Sequence, residues 1–239
     1  MAVNNLPVDL FCFTGSTQVG RIIAETAAKN LIPCILELGG KCPLIVDDTC
    51  NIDFTCTKVA FGKTLNSGQI CIAPDYVFVH ESKLKEFVKQ CEARFKEFYG
   101  SNPEGSELQG HMINDFHTDR VAELLRTAGG TVICGGKVNR ETKHIEPTII
   151  LKPDLDSKLM TEEIFGPIMP VFPFKDISEP IKFINARDKP LAVYYFGQSN
   201  SPNARQLAWT TSSGAFVVNE VLTQMNNHSL GFGGVGKSG

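Results

Sequence analysis

The chain has 239 residues, of which 42% are hydrophobic and 21% are charged, a composition typical of a soluble globular protein. Its formal net charge of -3 argues against binding nucleic acid or a membrane surface through bulk charge. No apolar run reaches the roughly 18 residues of a membrane-spanning helix, and the N-terminus lacks a signal-peptide pattern, so we expect no membrane segment and a cytoplasmic location.

A strand, a glycine-rich turn and a helix are predicted first. The segment VDLFCF predicts a buried strand, TGSTQVG follows it as the turn, and RIIAETAAKNL has helical spacing. This order is typical of sites that bind phosphates or dinucleotides. The turn from Gly15 to Gly20 reads G-S-T-Q-V-G, and taken alone it is equally consistent with an ordinary turn that binds no ligand.

The rest of the chain alternates strands and helices. Two short strands are predicted in PCILELGGKCPLIVDD, and Asp53 is expected to cap the helix that follows. That helix ends at SGQIC, DYVFVHE is the next strand, and an amphipathic helix is predicted to begin at Ser82. Further strands are predicted at TVICGG, EPTIIL, LAVYYFGQ and AFVVNEV, with helices that end at Pro190 and at Gly214. This alternation predicts an α/β fold with a parallel sheet.

Eight cysteines are present, and one of them has a distinct setting. None forms a C-x-x-C pair, and the five histidines are scattered, so we expect no metal site and no disulfide framework. Most of the thiols are expected to be small buried hydrophobes. Cys71 differs because it follows the polar turn Asn-Ser-Gly-Gln and does not lie on an apolar helix face. A buried structural thiol is the alternative interpretation of this residue.

Four motifs occur in the order FTGSTQVG, LELGGK, GQIC and EEIFGP, followed by FGGVGKSG. Together they make the sequence resemble the aldehyde dehydrogenase family over essentially its whole length. The forms FTGST and GQICIAPDYV look most like the dimeric branch that oxidises fatty and aromatic aldehydes. The resemblance implies an α/β fold with a parallel-sheet core, in which residues 1–37 are a remnant of the Rossmann-type NAD(P)-binding domain and residues 38–239 form the catalytic domain.

The resemblance implies that Cys71 is the catalytic nucleophile. Its thiolate would attack the aldehyde carbon, hydride would leave for NAD or NADP, and the resulting thioester would be hydrolysed to the acid. A thiol with the free pKa of about 8.5 is largely protonated at neutral pH, so we expect the backbone N–H groups of the turn to favour the thiolate. The Cys71 backbone N–H is also expected to supply half of an oxyanion hole.

Glu37 is the general base that the resemblance implies for the water that hydrolyses the thioester. It lies between Leu36 and Leu38, and these apolar neighbours should desolvate its carboxylate and raise its pKa. A salt-bridged glutamate at a strand end is the alternative interpretation. Asn66 is expected first to form the turn before Cys71 and second to offer a polar group to the active site.

The resemblance also implies which residues bind the nicotinamide and phosphate end of NAD or NADP. In the glycine-rich turn these residues are Gly15, Ser16, Val19 and Gly20. Glu163 in EEIFGP is expected to hold the hydroxyl groups of the nicotinamide ribose, with Phe165 packed beside the ring.

The sequence departs from the family pattern ahead of Glu37. A full dinucleotide fold needs two βαβαβ halves, whereas there is room for about one strand and one helix before this residue. Three hypotheses follow: a working aldehyde dehydrogenase or its catalytic portion, an impaired relative that acts as a binding or assembly component, and a thiol hydrolase that retains only esterase activity. The expected partners are a small aldehyde and either a second copy of the chain or a complementing chain, with no nucleic acid.

Overall fold

The computed structural model describes residues 7–239. Residues 1–6, part of the N-terminus for which no signal peptide is predicted, lie outside the described residues. The strands are β1 (Phe11–Gly15), β2 (Cys34–Leu38), β3 (Cys42–Val46), β4 (Pro74–His80), β5 (Thr131–Cys134), β6 (Val138–Asn139), β7 (His144–Ile145), β8 (Thr148–Leu151), β9 (Ile168–Phe174), β10 (Ala192–Phe196) and β11 (Ala215–Val218). The α-helices are α1 (Thr17–Lys29), α2 (Ile52–Thr64), α3 (Glu81–Tyr99), α4 (Asp115–Arg126), α5 (Lys158–Thr161), α6 (Ser178–Asn185) and α7 (Pro202–Thr210).

A mostly parallel sheet forms the centre of the fold. Its strand order is β11-β10-β3-β4-β9-β8-β5, and every neighbouring pair is parallel except β5 with β8. The predicted α/β fold with a parallel sheet is confirmed for the strands from β11 to β8 in this order. The strand β5 runs the other way because the connection from β5 to β8 passes through the small antiparallel hairpin of β6 and β7 and contains no crossover helix.

The central strands are buried on both faces, so one apolar cluster lies on each side of the sheet. Leu44 and Val77 belong to the cluster that α2 and α3 close, while Ile45 and Phe78 belong to the cluster that α6 and α7 close. Because alternate residues of a strand point to opposite faces, a strand covered on both sides is apolar throughout. This explains the continuous apolar run CPLIV in β3.

The elements β1, α1 and β2 form a smaller unit with its own two-stranded parallel sheet. The helix α1 covers one face of this sheet, where Ile23 and Ala27 pack with Phe11. The prediction of a buried strand in VDLFCF is wrong, because Cys12 and Thr14 point to the uncovered face and are exposed. The boundary between residues 1–37 and 38–239 stays a prediction.

The start of α2 differs from the prediction because another residue caps it. The helix begins at Ile52, and the side-chain oxygen of Asn51 accepts a hydrogen bond from the Phe54 N–H at 3.1 Å. Asp53 lies inside the first turn, and its carboxylate forms an ion pair with Arg94. A capping residue must have extended backbone just ahead of the helix, which Asn51 has and a residue within the helix lacks.

The ends of the other helices are also shifted. The helix α3 begins at Glu81, one residue before the predicted Ser82. The helix α7 ends before it reaches Gly214, where a side chain would overlap the Gly233 carbonyl oxygen. This glycine therefore permits the close approach of two loops, and it does not terminate the helix.

Gly68→Ala is expected to destabilise the fold more than Gly236→Ala, although both glycines have positive φ angles, +71° and +69°. Left-handed backbone costs an alanine about 1–2 kcal/mol at either position. At Gly68 the added methyl group would also overlap the Gly166 carbonyl oxygen, whereas at Gly236 no atom lies within 4 Å. Urea unfolding should give Gly68→Ala a free energy at least about 1 kcal/mol below that of Gly236→Ala, and equal values would contradict this packing.

Candidate active site

Cys71 follows a strained turn between α2 and β4. Asn66 and Ser67 both have left-handed backbone, with φ angles of 53° and 54°, which is uncommon for residues other than glycine. The Ser67 hydroxyl and the Gln69 side-chain amide hold the turn by donating to the backbone carbonyls of residues 110 and 111. The Cys71 thiol is half-buried, and its backbone N–H donates to no described residue, which leaves that N–H available to an oxyanion.

Asn66 acts within this turn. Its side-chain amide donates to the Gln69 carbonyl at 3.1 Å, and its own carbonyl accepts from the Gln69 backbone N–H at 3.1 Å. Asparagine tolerates left-handed backbone better than most residues because its short polar side chain can bond locally. These contacts explain the predicted role of Asn66 in forming the turn. Its second predicted role, as a polar group for the active site, stays a prediction.

The Cys71 thiol and the Glu37 carboxyl group are neighbours, and each shifts the pKa of the other. Burial, and then the neighbouring Glu37 carboxylate, raise the pKa of the Cys71 thiol to about 12. The backbone N–H of Ile72 lowers this pKa, but it does not outweigh the other two effects. The expected preference for the thiolate is therefore wrong for this arrangement, because the thiol is desolvated and its closest charged neighbour is negative.

Glu37 has the desolvated carboxylate that its apolar neighbours predict. Burial raises its pKa, and the contact with Cys71 lowers it to a smaller extent. Its Oε1 atom is buried and accepts no hydrogen bond from the described residues. A carboxyl oxygen in this state is suited to hold a water molecule or to receive a proton.

A buried ion pair holds the EEIFGP loop. Lys41 pairs with Asp75, whose side chains are 12% and 3% exposed. The same Lys41 ammonium donates to the Leu159 carbonyl at 2.7 Å and to the Glu162 carbonyl at 2.8 Å. Asp75 uses its other oxygen to accept from the Ile164 N–H at 2.9 Å. Both members of the pair therefore fasten the backbone of this loop to the start of β3 and β4.

Arg120 in α4 holds the same loop from a second direction. Its guanidinium donates to the Glu163 carbonyl at 3.0 Å and to the Ile164 carbonyl at 2.7 Å. The next residue, Phe165, has a φ angle of 47°, a left-handed conformation that costs a bulky residue about 1–3 kcal/mol. Such strain persists only where surrounding contacts impose it, and it is frequent at ligand-binding sites.

The Glu163 carboxylate packs against the backbone that follows β2. A side chain at Gly39 would overlap this carboxylate, and the nearby Gly40 N–H lowers its pKa to a smaller extent than burial raises it. Burial, and then the nearby Asp75 carboxylate, raise the pKa of Glu163 to about 7. The glycine pair in LELGGK thus allows a strand end to approach a carboxylate with no Cβ between them.

The turn from Gly15 to Gly20 opens the helix α1. Ser16 caps this helix by accepting from the Val19 N–H at 3.4 Å, and the first turn contains no acidic residue. Gly20 packs on Leu38, and a side chain at position 20 would overlap that leucine. The close packing of α1 on β2 therefore explains why a glycine stands here. The free N–H groups at this helix start are suited to a phosphate.

A cavity of about 680 Å³ connects this turn with the EEIFGP loop. Thr17 lines it together with Gly39 and Glu163. Cys71 and Glu37 are not among the described residues that line it. The fold therefore brings the start of α1 and Glu163 to one cavity and forms the Cys71–Glu37 pair separately, next to the same strand end.

Sequence reasoning missed Lys41, Asp75 and Arg120. The first two lie inside LELGGK and GQICIAPDYV, so the motifs contained a signal that was not used. Their pairing joins segments that are distant along the chain, which spacing does not reveal. Arg120 lies in an ordinary amphipathic helix, and no pattern in the sequence distinguishes it.

Within residues 7–239, no group of three or more His, Cys, Asp or Glu side chains is arranged to hold a metal ion. No helix in this part of the chain is both long and apolar enough to cross a membrane. Cys42, Cys50, Cys56 and Cys91 are buried free thiols, while Cys12 is an exposed one.

Asp75→Asn is expected to lower the free energy of unfolding by about 3–5 kcal/mol, because it leaves the buried Lys41 ammonium without its counter-charge. Asp119→Asn is the matched control, since it breaks an ion pair with Arg140 in which both side chains are more than half exposed, at 52% and 63%. Chemical denaturation at neutral pH should show a large loss for the first variant and little change for the second. A small loss in both would show that the buried pair does not fasten the loop.

Glu163→Gln is expected to remove a pH dependence of stability that the neighbouring Glu162→Gln leaves in place. The Glu163 pKa is about 7 in the folded chain against an ordinary value of 4.5, so this group lowers the free energy of unfolding as pH rises between these values. The full effect is on the order of 3 kcal/mol. Between about pH 5 and pH 8, urea unfolding should show Glu163→Gln gaining about 2 kcal/mol relative to the wild type. A constant difference would contradict the burial of this carboxylate.

Comparisons with known proteins match the chain over nearly all of its length. The family model described as "Aldehyde dehydrogenase family" matches residues 2–239. A relative from Canis lupus familiaris named "Aldehyde dehydrogenase, dimeric NADP-preferring" is 43% identical over 231 residues, which are 97% of this chain and 50% of the relative. A relative from Staphylococcus aureus named "4,4'-diaponeurosporen-aldehyde dehydrogenase" is 40% identical over 235 residues, which are 98% of this chain and 51% of the relative.

A solved structure, "Substrate bound state of Staphylococcus Aureus AldH", matches with a TM-score of 0.95 at 39% identity and covers 99% of this chain and 52% of that chain. The chain thus spans about half the length of the curated relatives that it matches. The resemblance indicated by the motifs is confirmed in both sequence and fold. The chain belongs to the aldehyde dehydrogenase family.

Proposed function

We propose that the chain carries the nucleophile and the general base for NAD(P)-dependent oxidation of an aldehyde to a carboxylic acid. The observation that carries this proposal is that the Cys71 thiol and the Glu37 carboxyl group lie close enough for each to shift the pKa of the other. A thiol beside a partly desolvated base is the arrangement required for covalent acyl chemistry. Family membership supports aldehyde oxidation as the general reaction.

Cys71 and Glu37 divide the chemistry between them. The Cys71 sulfur forms a bond to the aldehyde carbon, its proton passes to Glu37 and then to solvent, and the carbonyl oxygen becomes an oxyanion next to the Cys71 backbone N–H. Loss of hydride from that carbon leaves a thioester. Glu37 then takes a proton from a water molecule that attacks the thioester, and the thiol leaves as the acid forms.

The residues expected to bind the dinucleotide suit such a ligand. The start of α1 offers free N–H groups without an acidic side chain, and Glu163 reaches the same cavity. Ser16 and Glu163 would hold the phosphate and ribose portions, with Phe165 beside the ring. When bound, NAD or NADP supplies the acceptor for the hydride.

The family branch that the motifs resemble supports a proposal for the substrate class and the assembly. The motifs favour a fatty or aromatic aldehyde as the substrate. One relative is named for an aldehyde substrate, and another is named as dimeric and NADP-preferring. We therefore include a homodimer, or pairing with a complementing chain, and a cytoplasmic location in the proposal.

Esterase activity alone is the second candidate function. It is favoured by the separation of the Cys71–Glu37 pair from the cavity that Glu163 lines, since neither member of the pair is among the described residues that line this cavity. Hydride transfer needs the nicotinamide held in near-attack geometry, whereas hydrolysis of an activated ester needs only the thiol, the base and a water molecule. An impaired family member that serves in binding or assembly would show neither activity.

The 239-residue chain is expected to hydrolyse an activated ester and to form NADH or NADPH from an aldehyde slowly or not at all. Ester turnover should disappear in Cys71→Ala and persist in Cys12→Ala, which removes an exposed thiol away from the site. Steady-state absorbance assays with p-nitrophenyl acetate and with benzaldehyde plus either dinucleotide measure both reactions. Ester turnover that survives Cys71→Ala would contradict the assigned nucleophile. Rapid dinucleotide reduction would contradict the account of a loosely held cofactor.

A further inference from the structure

Arg187, which follows α6, is a half-buried cation without an ionic partner. Its guanidinium carbon lies over the Phe183 ring, 3.4 Å from the ring centroid. One of its N–H groups donates to the Phe183 carbonyl at 3.2 Å. Among residues 7–239, no carboxylate forms an ion pair with this guanidinium and no second acceptor takes its remaining donors. Most of its hydrogen-bonding capacity is therefore unused within the described part of the chain.

The Phe183 ring beneath this guanidinium is itself held in place. It makes edge contacts with the rings of Tyr76 and Phe78, at centroid distances of 5.3 Å and 5.1 Å, and a tilted contact with Phe172 at 6.2 Å. A guanidinium stacked on a fixed ring loses less conformational freedom when it binds a ligand. Arg187 is thus preorganised for binding.

Arg187 lines the cavity of about 680 Å³ that also contains the start of α1. Thr17 and Glu163 belong to the same lining, whereas Phe183 is not among the described residues that line it. The guanidinium therefore lies between the Phe183 ring and the cavity. Its unused donors are available to a molecule that enters this cavity.

The charge on Arg187 is only partly compensated. Burial lowers its pKa, and the more distant Tyr76 and Asp156 oppose this effect to a smaller extent. An arginine nevertheless stays protonated in a protein, so it bears the cost of partial desolvation as a cation. A bound anion would offset this cost.

The other cations of the cavity lining are placed differently. Lys41 and Lys237 are each engaged in an ion pair, and Lys189 is exposed to solvent. Arg187 therefore combines partial burial, a fixed position and unused donors, which these lysines do not.

A guanidinium presents a planar fork of donors that matches two oxygens of a phosphate group. The start of α1 in the same cavity also suits a phosphate. We propose that Arg187 binds a phosphate group of a ligand in this cavity, and that NAD or NADP carries that phosphate. The choice of the dinucleotide as carrier rests on the proposed function, whereas the phosphate site itself rests on the stacking, burial and free donors of Arg187.

The first test follows modification of the 239-residue chain by phenylglyoxal, which reacts with accessible guanidinium groups. Mass spectrometry gives the rates at Arg187 and at Arg205, with sodium diphosphate, NAD or NADP added, each against sodium chloride at equal ionic strength. Arg205 is the internal control, because it is exposed and is not among the described residues that line the cavity. Diphosphate and at least one dinucleotide should slow modification at Arg187 at least about fivefold and leave Arg205 unchanged.

The outcomes separate this proposal from the proposed function. Protection of Arg187 by diphosphate but by neither dinucleotide would support the phosphate site and refute the placement of the dinucleotide in this cavity. Equal slowing at both arginines, or no protection at Arg187, would overturn the site and leave Arg187 as a residue that only holds the end of α6. Ester turnover dependent on Cys71 is measured beside these rates and tests the nucleophile independently.

Calorimetric titration with sodium diphosphate gives the second test, and it decides the matter if Arg187 does not react with phenylglyoxal even without an anion. Arg187→Gln should weaken diphosphate binding about tenfold or more, while Arg205→Gln should bind as the wild type does. If Arg187→Gln does not fold, Arg187→Lys keeps a positive charge without the planar fork and should weaken binding by a smaller factor. Unchanged affinity in the folded variant would overturn the proposal.

Discussion

The buried ion pair between Lys41 and Asp75 is the interaction on which the candidate site depends most. Lys41 stands at the end of LELGGK, directly before β3, and Asp75 stands in β4, so the pair links two central strands. Its remaining hydrogen-bonding capacity goes to the backbone of the EEIFGP loop. A buried pair of this kind contributes little net stability compared with an apolar substitute, but removal of one member is costly. The contribution of the pair to the site is geometric, because the pair fixes the position of the loop that contains Glu163.

Three segments meet around the end of β2 as a result. The strand itself supplies Glu37, the turn after α2 supplies Cys71, and the loop held by Lys41 supplies Glu163. Each of the other two segments contains left-handed backbone at non-glycine residues, which is maintained by side chains from elsewhere in the fold. The site is therefore built from locally unfavourable conformations that only the packed structure sustains.

The electrostatics of the pair suggest when the nucleophile is charged. Burial and Glu37 favour the protonated thiol, while the Ile72 N–H favours the thiolate. A protonated Cys71 beside a carboxylate keeps the proton within reach of the base that will need it. Attack on a carbonyl carbon then transfers negative charge from the sulfur to an oxygen that the Cys71 backbone N–H can meet. In the proposed mechanism the thiolate would therefore form with substrate present, because the resting site favours the protonated thiol.

Features that depend on residues close together along the chain could be predicted from the sequence, whereas features that depend on distant segments required the tertiary structure. Hydrophobic runs and turn residues were sufficient to predict the alternation of strands and helices, and the motif order was sufficient to predict the family. Both predictions were possible because they depend only on residues that are contiguous in the chain. Capping by Asn51 in place of Asp53 and the exposed face of β1 were not predicted, because each depends on what lies next to a segment in space.

The same distinction applies within the site. Cys71, Glu37 and Glu163 could be named from their motifs, and the apolar neighbours of Glu37 were enough to predict that its pKa is raised. The protonation preference of Cys71 could not be inferred, because it is set by burial of the thiol and by a carboxylate from β2. The contacts of Arg120 with the Glu163 loop and of Tyr194 with Ile72 were equally hidden, since neither residue stands in a motif. Sequence by itself determined the family and the candidate groups for the chemistry, and the tertiary structure decided the charge and the position of these groups, because both depend on distances between segments that only folding brings together.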